Sequence, residues 1–518
     1  MSKKAATKAS GVSGDTNRHA PIAMDAATFR SLGHKLVDQV AGFLESLALG
    51  PVTHDESPSA VREALNLTGP LPESGMDAGL LLERTADQLF AHSLFNGHPR
   101  FFGYITAPPA PIGILGDFLA AAVNPNVGAW QLSPAATEIE SQTVRWIASL
   151  IGYPESCGGV LVSGGNMANF VCFLAARAAK AGWDVREHGV SPDSGQKLRV
   201  YCSSETHTWI QKAADLAGLG TASIRWIATD EKLRMDVTAL RQQIEADTAA
   251  GDVPCLVAGT AGSVSTGAID PLPEISALCK EYGVWFHVDG AYGGFAAAVP
   301  QAPDDLRVLS RADSVAVDPH KWLYAPLEAG CALVRDPELL RAAFAYHPPY
   351  YHFNEEATNY FDYGPQNSRG FRALKVWLAL RQVGAEGYRK MIADDICLSQ
   401  AMAEAVSRQA ELELITQDLS ITTFRYVPLD LRTNLQEAKV EGYLDTLNRE
   451  ILDRLQAGGE TFVSNAVVRG HYLLRACIVN FHTAQADVEA VPLIAVRIGR
   501  TVDAQLRPSI SQQKCKPD

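Results

Sequence analysis

The sequence predicts an α/β domain built on a mainly parallel central sheet, preceded by a helical segment and followed by a smaller α+β domain. Between residues 111 and 393, short apolar or β-branched runs alternate with segments of helical periodicity, which is typical of a sheet with helices on both faces. Helical patterns alone precede this region, and a mixed pattern follows it. The six candidate strands are Val160–Val162, Arg199–Cys202, Cys255–Ala258, Val284–Val288, Ser314–Val317 and Cys331–Val334.

The segment from residue 25 to residue 110 is predicted to be helical. Its apolar residues fall at helical spacing, and Pro, Gly and Ser interrupt the pattern at 50–58 and 69–75. The first helix carries an apolar stripe that needs a partner surface to bury it. Residues 1–24 lack the apolar core of a secretory signal, so we expect a flexible tail there.

Residues 394–518 are predicted to form the small C-terminal domain. The pattern changes here to a long amphipathic helix, then to two strand-like runs at 422–428 and 471–481, and then to a closing helix. This order of elements is typical of an α+β arrangement.

Charge and composition exclude several classes of function. The 518 residues include 45 basic and 58 acidic side chains, and the resulting net charge of −13 argues against a nucleic-acid partner. No apolar run is long enough to predict a membrane span. Nine cysteines without a CxxC pair indicate reduced thiols and a cytoplasmic location, and the scattered histidines predict no metal site.

The segment VSGGNMANF, residues 162–170, is the first motif with chemical meaning. It follows a candidate strand and opens a helix, and Gly164 and Gly165 allow a turn with exposed N–H groups. The N-terminus of a helix favours negative charge, so we expect an anion to bind there. Taken alone, the glycine pair fits a plain strand-to-helix connection equally well.

Two further motifs follow later strands. In FHVDGAYGG, residues 286–294, Asp289 ends an apolar strand, where a carboxylate needs a cation or a strong donor; capping of the next turn is the ordinary alternative. In ADSVAVDPHKWL, residues 312–323, Lys321 follows a hydrophobic strand. Desolvation there makes an amine a nucleophile for carbonyls, although a lysine at a strand end is usually just solvated.

The three motifs together predict pyridoxal 5'-phosphate as the cofactor. This cofactor requires an anion site for its phosphate, a carboxylate for its pyridine nitrogen and an amine for its aldehyde. Gly164 and Gly165, Asp289 and Lys321 offer these groups in chain order. His207 begins a helix after another strand and is predicted to stack on the free face of the ring, although a lone histidine is more often an ordinary core residue.

The sequence resembles the pyridoxal-phosphate-dependent group II amino acid decarboxylases from about residue 28 to residue 509. The most specific matching motifs are LSPAATEIE (132–140), HVDGAYGG (287–294), DPHKWL (318–323) and SRGFRALKVW (368–377). The resemblance implies fold type I of the pyridoxal-phosphate enzymes and a homodimer whose active sites lie at the subunit interface. It also implies that segment 25–110 is a dimerisation element.

The resemblance assigns roles residue by residue. Lys321 would bond to the cofactor, Asp289 would pair with the pyridine nitrogen, and Ala291 and His207 would contact opposite ring faces. The implied phosphate-binding residues are Gly164, Gly165, Asn166, Ser314 and His320. The implied substrate-binding residues are Tyr104, Asn126, Gly128, Trp130 and Arg475, of which Asn126 and Gly128 would come from the neighbouring subunit. Tyr360, in the loop 346–364, would donate a proton to the substrate carbon, with Tyr363 as the alternative.

The implied reaction is the decarboxylation of an L-amino acid to an amine and carbon dioxide, with an aromatic substrate favoured over acidic or aliphatic ones. A glutamate-type decarboxylase and an aldehyde synthase are alternatives on the same fold. An aminotransferase, a carbon–sulfur lyase and a non-catalytic relative also stay open. Identifying the product as an amine, an aldehyde or a keto acid distinguishes the enzymes.

Overall fold

The computed structural model describes residues 20–190, 195–348 and 357–513. Most of the predicted tail, residues 1–19, and part of the predicted loop, residues 349–356, therefore lie outside the described residues. Contacts divide the chain into two compact units. Residues 20–46 and 56–93 belong to the first unit, and residues 47–55 and 94–513 belong to the second.

The first unit is helical, as its sequence pattern predicts. It contains α1 (Ala26–Ser46), α2 (Pro58–Ala64) and α3 (Ala78–Ala91). Side-chain caps fix where the second and third helices begin, because Ser57 accepts a hydrogen bond from the Ala60 N–H and Asp77 accepts one from the Leu80 N–H. No residue of α1 is buried.

The second unit contains the remaining described helices and the strands. Its helices are α4 (Pro111–Val123), α5 (Pro134–Leu150), α6 (Gly165–Lys180), α7 (Val185–His188), α8 (Trp209–Leu216), α9 (Val237–Ala249), α10 (Leu272–Tyr282), α11 (Pro337–Phe344), α12 (Ala373–Ser407), α13 (Ala438–Ala457) and α14 (Gln485–Gln513). Its strands are β1 (Gly158–Val162), β2 (Leu198–Ser203), β3 (Ile224–Ile227), β4 (Val253–Thr260), β5 (Trp285–Asp289), β6 (Ser314–Val317), β7 (Gly330–Val334), β8 (Leu412–Asp418), β9 (Ile421–Tyr426), β10 (Ser464–Val468) and β11 (His471–Cys477). No helix in the described ranges combines the length and apolar character needed to cross a membrane.

The large sheet of this unit confirms the predicted fold class. Its seven strands in the described residues have the order β1-β7-β6-β5-β4-β2-β3. Strands β6, β5, β4, β2 and β3 pair in parallel, whereas β7 is antiparallel to both of its neighbours. All six candidate strands are present, and β3 is an additional edge strand.

The strand directions decide where loops converge. Because β7 runs opposite to both β1 and β6, β1 points the same way as the parallel strands. The carboxyl ends of β1, β2, β3, β4, β5 and β6 therefore lie along one edge of the sheet. The turns that leave this edge carry Gly164, His207, Gly262, Ala291 and Lys321.

The central strands are apolar throughout because helices cover both faces of the sheet. Strand β5 shows the alternation: Phe286 and Val288 belong to the apolar core on one face, and Trp285 belongs to the core on the other. Helices α5 and α10 pack on the first face, while α6 and α8 pack on the second. The sheet is thus a rigid base for the turns at its carboxyl edge.

The small sheet is antiparallel, with the order β10-β11-β9-β8. Its core side chains pack against helices α12, α13 and α14, with Phe424, Leu447 and Val491 among the buried residues. The long helix begins at Ala373 rather than near residue 394, and a kink at Gly384 (φ 70°) interrupts it. A boundary between a large and a small domain at residues 393/394 stays a prediction.

A buried ion pair joins α5 to β1 and to the chain just before α12. Arg369, only 4% exposed, donates to Glu140 Oε1 at 2.5 Å. The same guanidinium donates to the Val127 and Leu161 carbonyl oxygens at 2.8 and 2.7 Å. Glu140 also accepts from the Leu161 N–H at 2.9 Å. These bonds compensate for the loss of hydration of both charges.

We expect Arg369→Met to lower the free energy of unfolding by about 3–5 kcal/mol, because the Glu140 carboxylate is then buried without its cation. Urea unfolding followed by circular dichroism measures this loss. The matched control Arg307→Met removes an exposed ion pair with Asp304 and should cost less than about 1 kcal/mol. A variant at position 369 as stable as the wild type would contradict this role of the pair.

Candidate active site

A cavity of about 410 Å³ opens at the carboxyl edge of the large sheet. Eight of the residues singled out from the sequence line it: Tyr104, Gly165, Asn166, His207, Asp289, Ala291, Lys321 and Arg475. A second cavity of about 440 Å³, lined by residues such as Lys232, Arg234 and Asp418, contains none of them. The first cavity is therefore the candidate active site.

The glycine pair after β1 forms a tight cradle at the N-terminus of α6. Gly164 has φ 89°, which a residue with a side chain rarely adopts. A Cβ atom at Gly165 would lie 2.6 Å from Asp318 Oδ2 and 2.9 Å from the Ala291 Cβ, so only glycine fits there. The cradle lies at the positive end of a helix, which suits an anion.

Asp289 closes the floor of the cavity at the end of β5. Its side chain is buried, and Oδ1 accepts a hydrogen bond from the Ala291 N–H at 3.1 Å. Asp289 thus caps the following turn, as the ordinary alternative predicts, and also lines the cavity. A buried carboxylate in this position attracts a cationic or N–H-bearing ligand.

Lys321 reaches the same cavity from the turn after β6. Its Nζ atom lies 3.0 Å from Asp318 Oδ2. The other oxygen of this carboxylate, Oδ1, is buried and has no hydrogen-bond partner in the described residues. Asp318 was not among the predicted site residues, although its place three residues before Lys321, in the same motif, is a signal that could have identified it.

Two basic side chains complete the cavity. Desolvation lowers the pKa of His207, and the nearby Asp289 partly opposes this shift. Arg475 is 3% exposed; its Nη1 donates to the Tyr104 carbonyl oxygen at 3.2 Å and to Ser464 Oγ at 2.9 Å. Its Nε and Nη2 have no partner in the described part of the chain, and burial lowers the pKa of Arg475. Buried unpaired N–H groups favour the binding of an anion.

Tyr292 connects the cavity wall to the small sheet. Its ring stacks on Trp322 with centroids 4.8 Å apart, and its hydroxyl lies 2.7 Å from Ser420 Oγ. The same hydroxyl oxygen accepts from the Ser420 N–H at 2.9 Å. Burial raises the pKa of Tyr292 well above its usual value, so this phenol stays neutral.

Ser314 lies outside the cavity lining and supports it from below. Its hydroxyl oxygen accepts from Trp285 Nε1 at 2.8 Å and lies 2.8 Å from His287 Nδ1. The other ring nitrogen of His287 lies 2.7 Å from Oδ1 of Asn169, a cavity residue. Burial lowers the pKa of His287 to about 4, so at neutral pH Ser314 donates to Nδ1 and Nε2–H donates to Asn169.

His320 lies beside the cradle. Its Nδ1 lies 2.7 Å from the Ala329 carbonyl oxygen and 3.3 Å from the Ala329 backbone nitrogen. Its Cε1 lies 3.3 Å from where a Cβ of Gly164 would be. His320 and Gly164 thus flank the anion site from outside the cavity.

Asn126 and Gly128 lie apart from the cavity lining. Asn126 Oδ1 accepts from the N–H groups of Gly128 and Arg369, both at 3.1 Å. A Cβ at Gly128 would lie 2.2 Å from the Asn367 carbonyl oxygen, so this position requires glycine for packing. Both residues belong to the structure around the buried Arg369.

Tyr360 and Trp130 lie next to this cluster. The Arg369 guanidinium carbon stands 4.7 Å from the ring centroid of Tyr360, which is 2% exposed. Trp130 Nε1 donates to Glu138 at 2.9 Å. Burial raises the pKa of Tyr360 well above its ordinary value and raises that of the less buried Tyr363 as well. Within this one chain, none of these aromatic residues lines the cavity that contains Lys321.

Similarity to known proteins indicates one family. The profile described as "Pyridoxal-dependent decarboxylase conserved domain" matches residues 70–427. The aromatic-L-amino-acid decarboxylase of Bacillus atrophaeus is 32% identical over 472 residues, covering 90% of this chain and 94% of the relative. The phenylacetaldehyde synthase of a Rosa hybrid cultivar is 28% identical over 468 residues, covering 88% and 91%. The solved structure of Oryza sativa TDC with PLP and tryptamine has a TM-score of 0.84 at 27% identity, covering 93% of this chain and 99% of that one.

These matches confirm the predicted cofactor and fold type I. The cavity fits pyridoxal phosphate on its own evidence, because it brings together an anion cradle that only glycine allows, an amine at Lys321 and a buried carboxylate at Asp289. By profile and by overall similarity, the chain belongs to the pyridoxal-dependent decarboxylase family, the carboxy-lyases that remove the carboxyl group of amino acids.

Proposed function

We propose that the protein decarboxylates an aromatic L-amino acid to the corresponding amine and carbon dioxide. The observation that carries this proposal is the placement of Lys321, Asp289 and the unpaired nitrogens of Arg475 around one cavity. The similarity to aromatic-L-amino-acid decarboxylase supports the aromatic substrate.

The residues that would hold the cofactor come from four turns of the carboxyl edge. Gly164, Gly165 and Asn166 would bind its phosphate, with His320 beside them. When bound, pyridoxal phosphate supplies an electron-withdrawing ring that accepts the electron pair left on the substrate carbon as the carboxylate leaves. Asp289 would keep the ring nitrogen protonated, which strengthens this withdrawal. His207 and Ala291 would hold the ring from its two faces.

Arg475 would bind the carboxylate group of the substrate. Its Nε and Nη2 are buried without a partner among the described residues, and a carboxylate satisfies two such donors at once. An acidic side chain on the substrate could use the same donors, so Arg475 alone does not separate an aromatic from a glutamate-type substrate. The exposed ring of Tyr104 at the cavity offers a surface for stacking an aromatic side chain.

We further propose that the protein is a cytoplasmic homodimer whose subunits complete each other's sites. Helix α1 has no buried residue, and α4 exposes Leu115, Leu119 and Val123. Exposed apolar surface of this kind is typical of a subunit interface. Trp130 would then lie at the cavity of the neighbouring subunit. Tyr360, which is buried against Arg369 within its own chain, would turn out of this packing to deliver a proton to the substrate carbon. The eight cysteines in the described ranges are free thiols, which supports a reducing compartment.

We expect Gly165→Ala to weaken binding of pyridoxal phosphate by about tenfold or more, because the added methyl group overpacks the cradle against Asp318 and Ala291. Fluorescence titration of the cofactor-free protein measures the dissociation constant. The control Gly442→Ala places a methyl group on helix α13, where nothing lies within 4 Å, and should leave affinity unchanged. If the Gly165→Ala variant binds the cofactor with wild-type affinity, the glycine pair does not form the phosphate site.

Incubation of the loaded enzyme with tryptophan, tyrosine, phenylalanine, DOPA, 5-hydroxytryptophan and glutamate tests the reaction directly. We expect carbon dioxide and an amine from at least one aromatic substrate, detected by mass spectrometry. Lys321→Ala should abolish both turnover and the visible absorption band of the lysine-bound cofactor, whereas Lys232→Ala, in the other cavity, should retain them. γ-Aminobutyrate as the main product would favour the glutamate-type alternative, and an aldehyde with consumption of oxygen would favour an aldehyde synthase.

Mixing two variants tests the shared site. Tyr360→Phe should bind the cofactor but yield aldehyde in place of amine, and Lys321→Ala should yield neither. If Tyr360 acts on the neighbouring cavity, each mixed dimer contains one intact site, so random mixing restores amine formation to about a quarter of the wild-type rate. No recovery on mixing, with mixed dimers demonstrated by mass, would place Tyr360 in its own subunit's site or outside the mechanism.

A further inference from the structure

The pair formed by Asp318 and Lys321 has a geometry that the proposed reaction does not yet explain. The Asp318 side chain is 3% exposed and that of Lys321 is 18% exposed, with 3.0 Å between Nζ and Oδ2. In the described residues, Asp318 is the only carboxylate within 4 Å of Nζ. Asp318 Oδ1 has no partner there either, so Lys321 is the main compensation for a buried charge.

Among the described residues around Asp318, Lys321 is the group that serves as its cation. His320 Nε2 lies 3.7 Å from Asp318 Oδ2, too far for a hydrogen bond. Its Nδ1 faces the Ala329 backbone, and burial lowers the pKa of His320, which favours the neutral ring. His207 and Asp289 also face the cavity, but neither forms an ion pair with Lys321 within the described ranges.

We propose that Asp318 is a positioning residue that holds Lys321 as an ammonium ion whenever this lysine is not bonded to the cofactor. The proposal rests on the proposed function, because it assigns Lys321 two states, bonded and released. An ammonium ion has no free electron pair and cannot attack an aldehyde. Asp318 therefore restrains Lys321 from competing with the substrate amine, and it sets the rate at which the empty protein takes up its cofactor.

Proton balance is consistent with this role. The incoming substrate ammonium must lose one proton before it forms its bond, and the released lysine amine gains one proton as it becomes an ammonium ion. No external acid or base is consumed in the exchange. The Asp318 carboxylate stabilises the protonated product of this step, since an opposite charge at 3.0 Å favours the charged form of an amine.

Competitive acetylation of the cofactor-free protein tests the proposal without measuring activity. A trace of acetic anhydride labels neutral amines only, and peptide mass spectrometry compares Lys321 with the exposed Lys232. In Asp318→Asn at pH 7.5, we expect Lys321 to react about tenfold faster than in the wild type, because the neutral amide no longer favours the ammonium form. Asp318→Ser should behave in the same way, and Asp318→Glu, which keeps the charge, should return labelling close to the wild-type rate.

The control Asp117→Asn removes the carboxylate that lies 3.1 Å from Lys375 Nζ and should leave Lys321 labelling unchanged. Folded neutral variants at position 318 that label Lys321 at the wild-type rate would overturn the proposal. Failure of both neutral variants to fold would assign Asp318 a purely structural role and overturn it as well. Borohydride reduction of the loaded wild-type enzyme distinguishes failure of this proposal from failure of the proposed function. Cofactor fixed at a residue other than Lys321 refutes the proposed function, whatever the acetylation shows.

Discussion

The direction of the strands in the large sheet is the constraint on which the rest of the structure depends. Six strands end at one edge, so short turns that are distant in sequence meet there. The glycine cradle, Asp289, His207 and Lys321 each come from a different turn of that edge. None of these residues could meet the others on a single hairpin or helix. Chemistry that needs an anion site, an acid and an amine around one cavity is thus a consequence of parallel pairing and of helices that cover both faces.

The sequence was sufficient to predict the fold class and the central strands because those strands are buried on both sides. A strand such as β6, Ser314–Val317, has no polar residue after its first position and stands out from its surroundings. The missed strands lack this signal: β3 is short, β8 is buried only at its first residue, and β10 alternates exposed with buried residues. The start of α12 was predicted too late: the helix begins at Ala373, and the kink at Gly384 separates its first turns from the later amphipathic part.

The cavity residues that were predicted correctly to lie together follow strands within recognisable motifs. Asp318 was overlooked although it stands in one of these motifs, because a charged residue near a lysine in sequence is usually a solvated surface residue. Ser314 shows the opposite case: its hydroxyl supports Trp285 and His287 below the cavity floor. Tyr360, Trp130, Asn126 and Gly128 were predicted at the site and lie outside the cavity lining, because they belong to the packing around the buried Arg369 or lie next to it.

Tyr292 has a consequence for the way in which ligands enter and leave. Its phenol bridges the wall of the large-sheet cavity to the Ser420 turn of the small sheet, with no charge on either side. Swinging the two sheets apart along this seam would strip a buried hydroxyl of its partners, at a cost of about 1–3 kcal/mol, and would unstack its ring from Trp322. Opening the cavity by moving the two sheets apart therefore costs free energy. Small molecules have a more favourable route past the exposed side chains of Tyr104 and His207.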